Sequence, residues 1–174
     1  RVVTQTVTRR SEKKKALCAQ YGFEGLFPLD NEISNPEETN NLGFRISQEN
    51  EKLIKKCQLV VANITPFRGP SADAGTIFEI GYARAREIPV FAYSNTKVKF
   101  KERTISFFEL NPDAKTDRKG MKLEDFEMTD NLMIDGGILA SGGKIITCEV
   151  PKKEFYTSLE AFEECLKAAK TTSP

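Results

Sequence analysis

The stretch QLVVANITPFRGPSADAGTIFEIGYARA (58–85) decides the fold. Its first seven residues form a nearly continuous apolar run, the pattern of a strand buried on both faces. The strand empties into a loop holding two prolines, an arginine and a glycine, and Asp73 follows at the start of a helical pattern. The spacing predicts a helix from about residue 73 to 87, closed by Pro89, and a further strand at VFAYS (90–94). Strand, loop, helix and strand in this order make a βαβ unit of a parallel sheet.

The same alternation extends in both directions. VVTQTVT (2–8) reads as a first strand, and SEKKKALCAQY (11–21) as a helix burying Ala16, Leu17 and Tyr21, with Gly22 as its stop. GLFPLD (25–30) reads as a short strand interrupted by Pro28, before the polar loop NEISNPEETNN. Residues 39–57 read as a helix with Leu42, Ile46, Leu53, Ile54 and Cys57 on its buried side. Residues 95–130 are too long for a passive loop and are expected to form a lid, an extra helix or a subunit contact. GKIITCEV (143–150) is the expected last strand, and 153–170 the last amphipathic helix. The fold class that results is α/β, a three-layer, mostly parallel open sheet of flavodoxin-like type, in a single domain spanning 1–174.

Bulk composition narrows the function. The 174 residues are 39% hydrophobic and 29% charged, with a net charge of +1, as in an ordinary soluble protein with no global field toward nucleic acid or membrane. The basic runs RRSEKKK (9–15) and KVKFKER (97–103) are expected to be solvated faces. No apolar run is long enough to span a bilayer, and the start shows no signal-peptide pattern. The chain opens on Arg1 rather than methionine, so a few residues are expected ahead of it. The four cysteines are far apart, without a CxxC pair, and read as reduced core thiols of a cytoplasmic protein. With no histidine at all, zinc sites and histidine-based triads are not expected, and chemistry falls to carboxylates, tyrosine, lysine or a thiol.

In open α/β sheets ligands bind beyond the carboxyl ends of the strands, where the loop 65–72 lies. Asp73 is placed to cap the next helix, a role worth about 1 kcal/mol that needs no ligand. Glu79 follows six residues later, about 600° of helical rotation, so the two carboxylates are offset by roughly 120° and could border one cavity. An exposed helical glutamate explains the same pattern, and its neighbours Phe78 and Ile80 point other ways. Gly75 and Gly81 fit no phosphate-cradle motif, and close packing of helix on sheet is their simplest role. A second cluster, EDFEMTDNLMIDGG (124–137), reads either as surface charge with a turn at NLM or as an amide placed to orient a ligand.

TPFRGPSADAGTIFEIGYA and DNLMIDGG, with VFAYSN between them, resemble the nucleoside 2-deoxyribosyltransferase family in its PFRG-loop branch. KKALCAQYGFEGLFPLDNEI (14–33) is similar to the same family's first helix and second strand, so the resemblance covers roughly residues 14–150. It implies a cytosolic enzyme exchanging the base of 2′-deoxynucleosides through a covalent deoxyribosyl intermediate, without a cofactor. The implied nucleophile is Glu79 and the implied sugar-binding aspartate Asp73. Asn131 and Met133 are implied to come from a neighbouring subunit, which makes the protein at least a dimer. The position near the base that carries an acid in many members is Asn50, while Arg68 and Gly75 belong to the same expected substrate site. The amino end departs from the family pattern, because RVVTQTVTRRSEKKK has no AGP-x-VF-like loop.

The chemistry suits these residue types. Cleavage of an N-glycosidic bond develops positive charge at C1′ and O4′, which a carboxylate stabilises before trapping the sugar. Attack by a second base then gives net retention, as in retaining glycosidases. The nucleophile needs hydrogen-bond donors to stay ionised in a desolvated pocket, and Asn131, a tyrosine hydroxyl or Arg68 are candidates. Two other readings stay open on the same site: an N-glycosidase acting on nucleosides or deoxynucleotides, and a nucleotide-binding module without turnover.

Overall fold

A computed structural model describes residues 2–4, 11–28 and 41–172, with the side chains of 2–4 left out. Five strands, β1 (Val2–Thr4), β2 (Gly25–Leu26), β3 (Leu59–Asn63), β4 (Val90–Ser94) and β5 (Ile145–Thr147), form one sheet in the order β2-β1-β3-β4-β5. Every pairing between these five strands is parallel, with Val60 opposite Val90 and Ala92 opposite Ile145. This is the flavodoxin-like order, whose topological switch point lies between β1 and β3.

The described residues form six helices: α1 (Ser11–Gln20), α2 (Leu42–Lys55), α3 (Ala74–Ala85), α4 (Phe100–Phe107), α5 (Leu132–Ala140) and α6 (Glu160–Thr172). The period of two along the central strands sorts the core into two layers. Val60, Ala62, Val90 and Ala92 pack with Leu53 and Ile54 of α2, Ile80 and Ala83 of α3, and Ile134 and Ile138 of α5. Leu59, Val61, Phe91 and Tyr93 face the other way, onto Cys18 of α1 and Phe162, Cys165 and Leu166 of α6. Burial on both faces is why β3 and β4 lack polar alternation.

Several sequence expectations are corrected. Helix α1 buries Lys14 and Cys18, whereas Ala16 is exposed and Leu17 and Tyr21 are half-buried. The helix is turned this way because Lys14 Nζ donates to Tyr93 Oη at 3.0 Å and lies 5.1 Å from the centre of the Phe162 ring. Neither basic run is wholly solvated, since Lys14 is 2% exposed and Arg103 8%. Helix α2 packs by its last turns, leaving Ile46 exposed. The last helix begins at Glu160, after a 3-10 turn at Lys152–Glu154. Asn95 Nδ2 donates to the carbonyls of Phe155 and Ser158, which holds that segment out of the helix. The expected strand at 143–150 narrows to Ile145–Thr147, and NLM, a turn before core residues in one of the two readings, is the N-cap and first residues of helix α5. The second strand is limited to Gly25–Leu26, and the parts of the expected first strand, second strand and polar loop at 5–8 and 29–40 lie outside the described residues. Among the described residues no helix is long and apolar enough to cross a membrane.

Candidate active site

The mouth of the site is built where β3 ends. Ile64 N still donates to Tyr93 O at 2.8 Å, and Asn95 N donates to Thr65 Oγ1 at 3.1 Å, so the strand's exit is tied to β4. The loop then closes on itself, with Phe67 N donating to Ser71 O at 2.9 Å. Tyr156 Oη donates to Pro66 O at 2.9 Å and its ring meets Phe67 edge-on. Arg68 sits at the loop's tip with φ 56°, exposed, its guanidinium 4.8 Å from the centre of the Phe67 ring.

Asp73 caps α3 as expected. Its Oδ2 accepts from Gly75 N at 3.0 Å and from Thr76 N at 3.3 Å, satisfying two otherwise free amides of the first turn. Gly75 and Gly81 do not serve helix-on-sheet packing. Both are exposed, a side chain on Gly81 would meet nothing, and one on Gly75 would meet the capping Asp73 Oδ2 at 3.0 Å.

The helical phase of α3 resolves the ambiguity over Glu79. Thr76, Ile80 and Ala83 form the buried stripe, Phe78 is exposed, and Glu79 lies between, half-buried. Burial pushes the Glu79 carboxyl up to about 7, and the negative charge of Asp73 adds to the rise. Glu79 forms no hydrogen bond or ion pair among the described residues. A half-buried carboxylate kept without a donor costs stability, which marks it as a functional candidate. Three of the four thiols are disfavoured as rival nucleophiles: burial pushes Cys18 up to about 11 and raises Cys165 and Cys148 as well.

The second cluster is built around the tip of α5. Asn131 is the N-cap, its Oδ1 accepting from Met133 N at 3.0 Å, while its Nδ2 donates to Glu124 Oε1. Glu124 Oε2 also accepts from Leu132 N at 2.9 Å, so a carboxylate sits at the positive end of the helix. Met133 is 67% exposed. Asn50 is half-buried on α2, and its Oδ1 has no hydrogen-bond partner among the described residues. A cleft of about 210 Å³ opens between α4 and the segment 124–130, walled by Phe100, Ile105, Glu124 and Asp130, and Glu79 is not among its walls. No three histidine, cysteine, aspartate or glutamate side chains converge as metal ligands among the described residues.

Sequence reasoning missed Arg103 and Asp130, a buried ion pair between the two clusters with Nη2 and Oδ2 3.2 Å apart. The available signal was a lone arginine within FKERTISF and an aspartate directly before the capping Asn131.

Comparison with known proteins agrees with this architecture. An uncharacterized protein of Schizosaccharomyces pombe, C191.05c, is 24% identical, covering 86% of this chain and 78% of that protein. Among solved structures, a 2-desoxiribosyltransferase from Leishmania mexicana superposes with a TM-score of 0.60 at 18% identity, covering 91% of this chain and 96% of that one. A conserved protein from Enterococcus faecalis V583 gives 0.56 at 21% identity, covering 95% and 96%. At these identities the structures share the fold. The family profile described as nucleoside 2-deoxyribosyltransferase matches residues 3–133, spanning β1 through the tip of α5 and including Asp73, Glu79 and Asn131. The chain therefore belongs to the nucleoside 2-deoxyribosyltransferase family, whose members process nucleosides.

Proposed function

We propose that this protein transfers the 2-deoxyribosyl group of a 2′-deoxynucleoside between nucleobases by a retaining double displacement. The observation that carries this reading is Glu79 itself: half-buried on the helix that follows β3, without a hydrogen-bond partner among the described residues, and raised to about 7. In the first step the Glu79 carboxylate attacks C1′, the N-glycosidic bond breaks, and its electron pair leaves with the base, which takes up a proton. In the second step a ring nitrogen of the incoming base attacks C1′ from the original face and the ester bond to Glu79 breaks to release the carboxylate. The incoming base gives its ring N–H proton to solvent, balancing the proton taken up in the first step.

Asp73 caps α3 with Oδ2 and keeps its other oxygen for a sugar hydroxyl. The amide oxygen of Asn50, without a hydrogen-bond partner among the described residues, suits an N–H on a base edge. Arg68 and the exposed Gly75 border the mouth. Asn131 keeps one amide hydrogen beyond the one given to Glu124, and with Met133 it serves a neighbouring subunit's pocket, so the active form is at least a dimer. The exposed Leu132, Met133 and Leu139 on α5 supply apolar surface for that contact. No cofactor is needed, the whole chain acts as one domain, and its place is the cytoplasm.

The test is chromatography of 2′-deoxyinosine incubated with adenine and the protein, beside a control without adenine. Deoxyadenosine with hypoxanthine is the expected result. Hypoxanthine and free deoxyribose regardless of adenine would make the protein an N-glycosidase. Nucleoside binding without turnover, also with pyrimidine and 5′-phosphate substrates, would make it a binding module.

A further inference from the structure

Helix α4 is attached to the fold in an unusual way: of its eight residues, Arg103 is the one that is buried. A surface helix is ordinarily held by an apolar stripe. Here the attachment is polar and reaches two separate segments. Arg103 Nε donates to Pro70 O at 2.7 Å, Nη1 to Val98 O at 3.1 Å, and Nη2 to Asp130 Oδ2 at 3.2 Å.

Asp130 is fully buried and is the hub of the arrangement. It accepts from Ser71 Oγ, from Ala72 N at 3.0 Å and from Asn131 N at 2.8 Å, besides Arg103. Asp135, one turn into α5, accepts from Thr129 N at 2.7 Å and Asp130 N at 3.0 Å, which fixes Asp130 in turn. The segment 70–72 leads directly into Asp73 and α3, and the segment 129–131 leads into Asn131 and Met133. One buried pair therefore ties together the two stretches that carry the candidate site.

We infer that Arg103 and Asp130 are positioning residues, holding the mouth loop 66–72 in fixed register with the tip of α5. Stability alone explains the pair poorly, because an apolar pair of similar volume usually stabilises as well as a buried ion pair. Geometry explains it better: a planar guanidinium donating in three directions fixes angles that neither lysine nor an apolar side chain can fix. Displacements of about 1 Å at a reacting centre are enough to slow a reaction a hundredfold. The kinetic consequence rests on the proposed deoxyribosyl transfer, whereas the coupling of the two segments does not.

The test uses Arg103→Lys, which keeps the charge and loses the fork, and Ser71→Ala, which removes a single contact to Asp130. Amide hydrogen exchange is followed in peptides covering 65–73 and 128–134, with base-exchange kinetics measured well below each variant's melting temperature. In Arg103→Lys both peptides should exchange faster together, by about tenfold, while β3 and β4 are unchanged. Its kcat should fall by about tenfold or more with a smaller change in KM, and Ser71→Ala should move both readouts the same way by less. Faster exchange confined to α4, or to one of the two peptides, would overturn the inference, as would unchanged kcat in a folded variant whose two peptides have loosened. If Arg103→Lys fails to fold, Ser71→Ala decides by the same criteria. If the native protein transfers no deoxyribose, the functional proposal fails while the paired exchange signature still decides the coupling.

Discussion

Asp73 and Glu79, six residues apart at the start of α3, are electrostatically opposed: the charge on the capping carboxylate adds to the burial that raises Glu79 to about 7. If Glu79 is the nucleophile proposed above it must be ionised, so burial first and the Asp73 charge second would set the acid limit of the reaction.

The first prediction is the acid limb of the rate profile. If Glu79 attacks as the carboxylate, kcat/KM rises with pH through an apparent value near 7 and levels above it. Initial rates of base exchange between pH 5 and 9 measure this. A flat profile across that range would remove Glu79 from the chemical step.

Replacing Asp73 separates its two roles. Asparagine caps a helix about as well as aspartate, so Asp73→Asn should change stability by less than about 0.5 kcal/mol, whereas Asp73→Ala should cost about 1 kcal/mol. Both remove the negative charge, so the acid limb should move to lower pH in each. Thermal melts and rate profiles of the two variants check this, and an unmoved limb would mean that the carboxylates do not sense one another.

The raised carboxyl also predicts how stability depends on pH. Glu79 binds its proton more tightly in the folded chain than at its ordinary value of 4.5, so the fold loses stability as pH rises from about 4.5 to about 7. Glu79→Gln mimics the protonated form and should stabilise the protein at pH 8 by on the order of 2 kcal/mol, with the gain vanishing toward pH 4. Denaturant unfolding at the two pH values measures the difference. Equal effects at both would contradict the shift.

A purely structural prediction concerns the approach to β5. A side chain on Gly143 would lie 1.7 Å from Val90 O and 2.4 Å from Val90 C, both backbone atoms of β4. Gly143→Ala should therefore cost about 3 kcal/mol or more. Gly136→Ala, inside α5 where an added Cβ meets nothing, should instead stabilise by up to about 1 kcal/mol. Denaturant midpoints of the two variants test the pair.

The sequence was most legible where local signals agree. The apolar run of β3, the capping Asp73, and Pro89 ahead of β4 each act within a few residues, and the structure places these elements within a residue or two of their expected bounds. Helix α5 was not legible, because Gly136 and Gly137 in its centre are poor helix formers and its support comes from Glu124 at the cap and from packing of Ile134 and Ile138. Lys14 and Arg103 lie in charged runs whose local pattern argues for solvent. Their burial depends on Tyr93, 79 residues away, and on Asp130, 27 residues away, partners that no local window contains. Glu79 lies between these cases: its position in a helix was readable, but its half-burial follows from how α3 turns against the sheet.

The most direct test of the account is mass spectrometry of the protein incubated with a 2′-deoxynucleoside without acceptor, quenched in acid and digested. The account predicts a deoxyribosyl adduct on the peptide containing Glu79, removed on adding a free base and missing from Glu79→Ala. An unmodified Glu79 peptide in enzyme that is turning over, or a sugar attached to a different side chain, would contradict it.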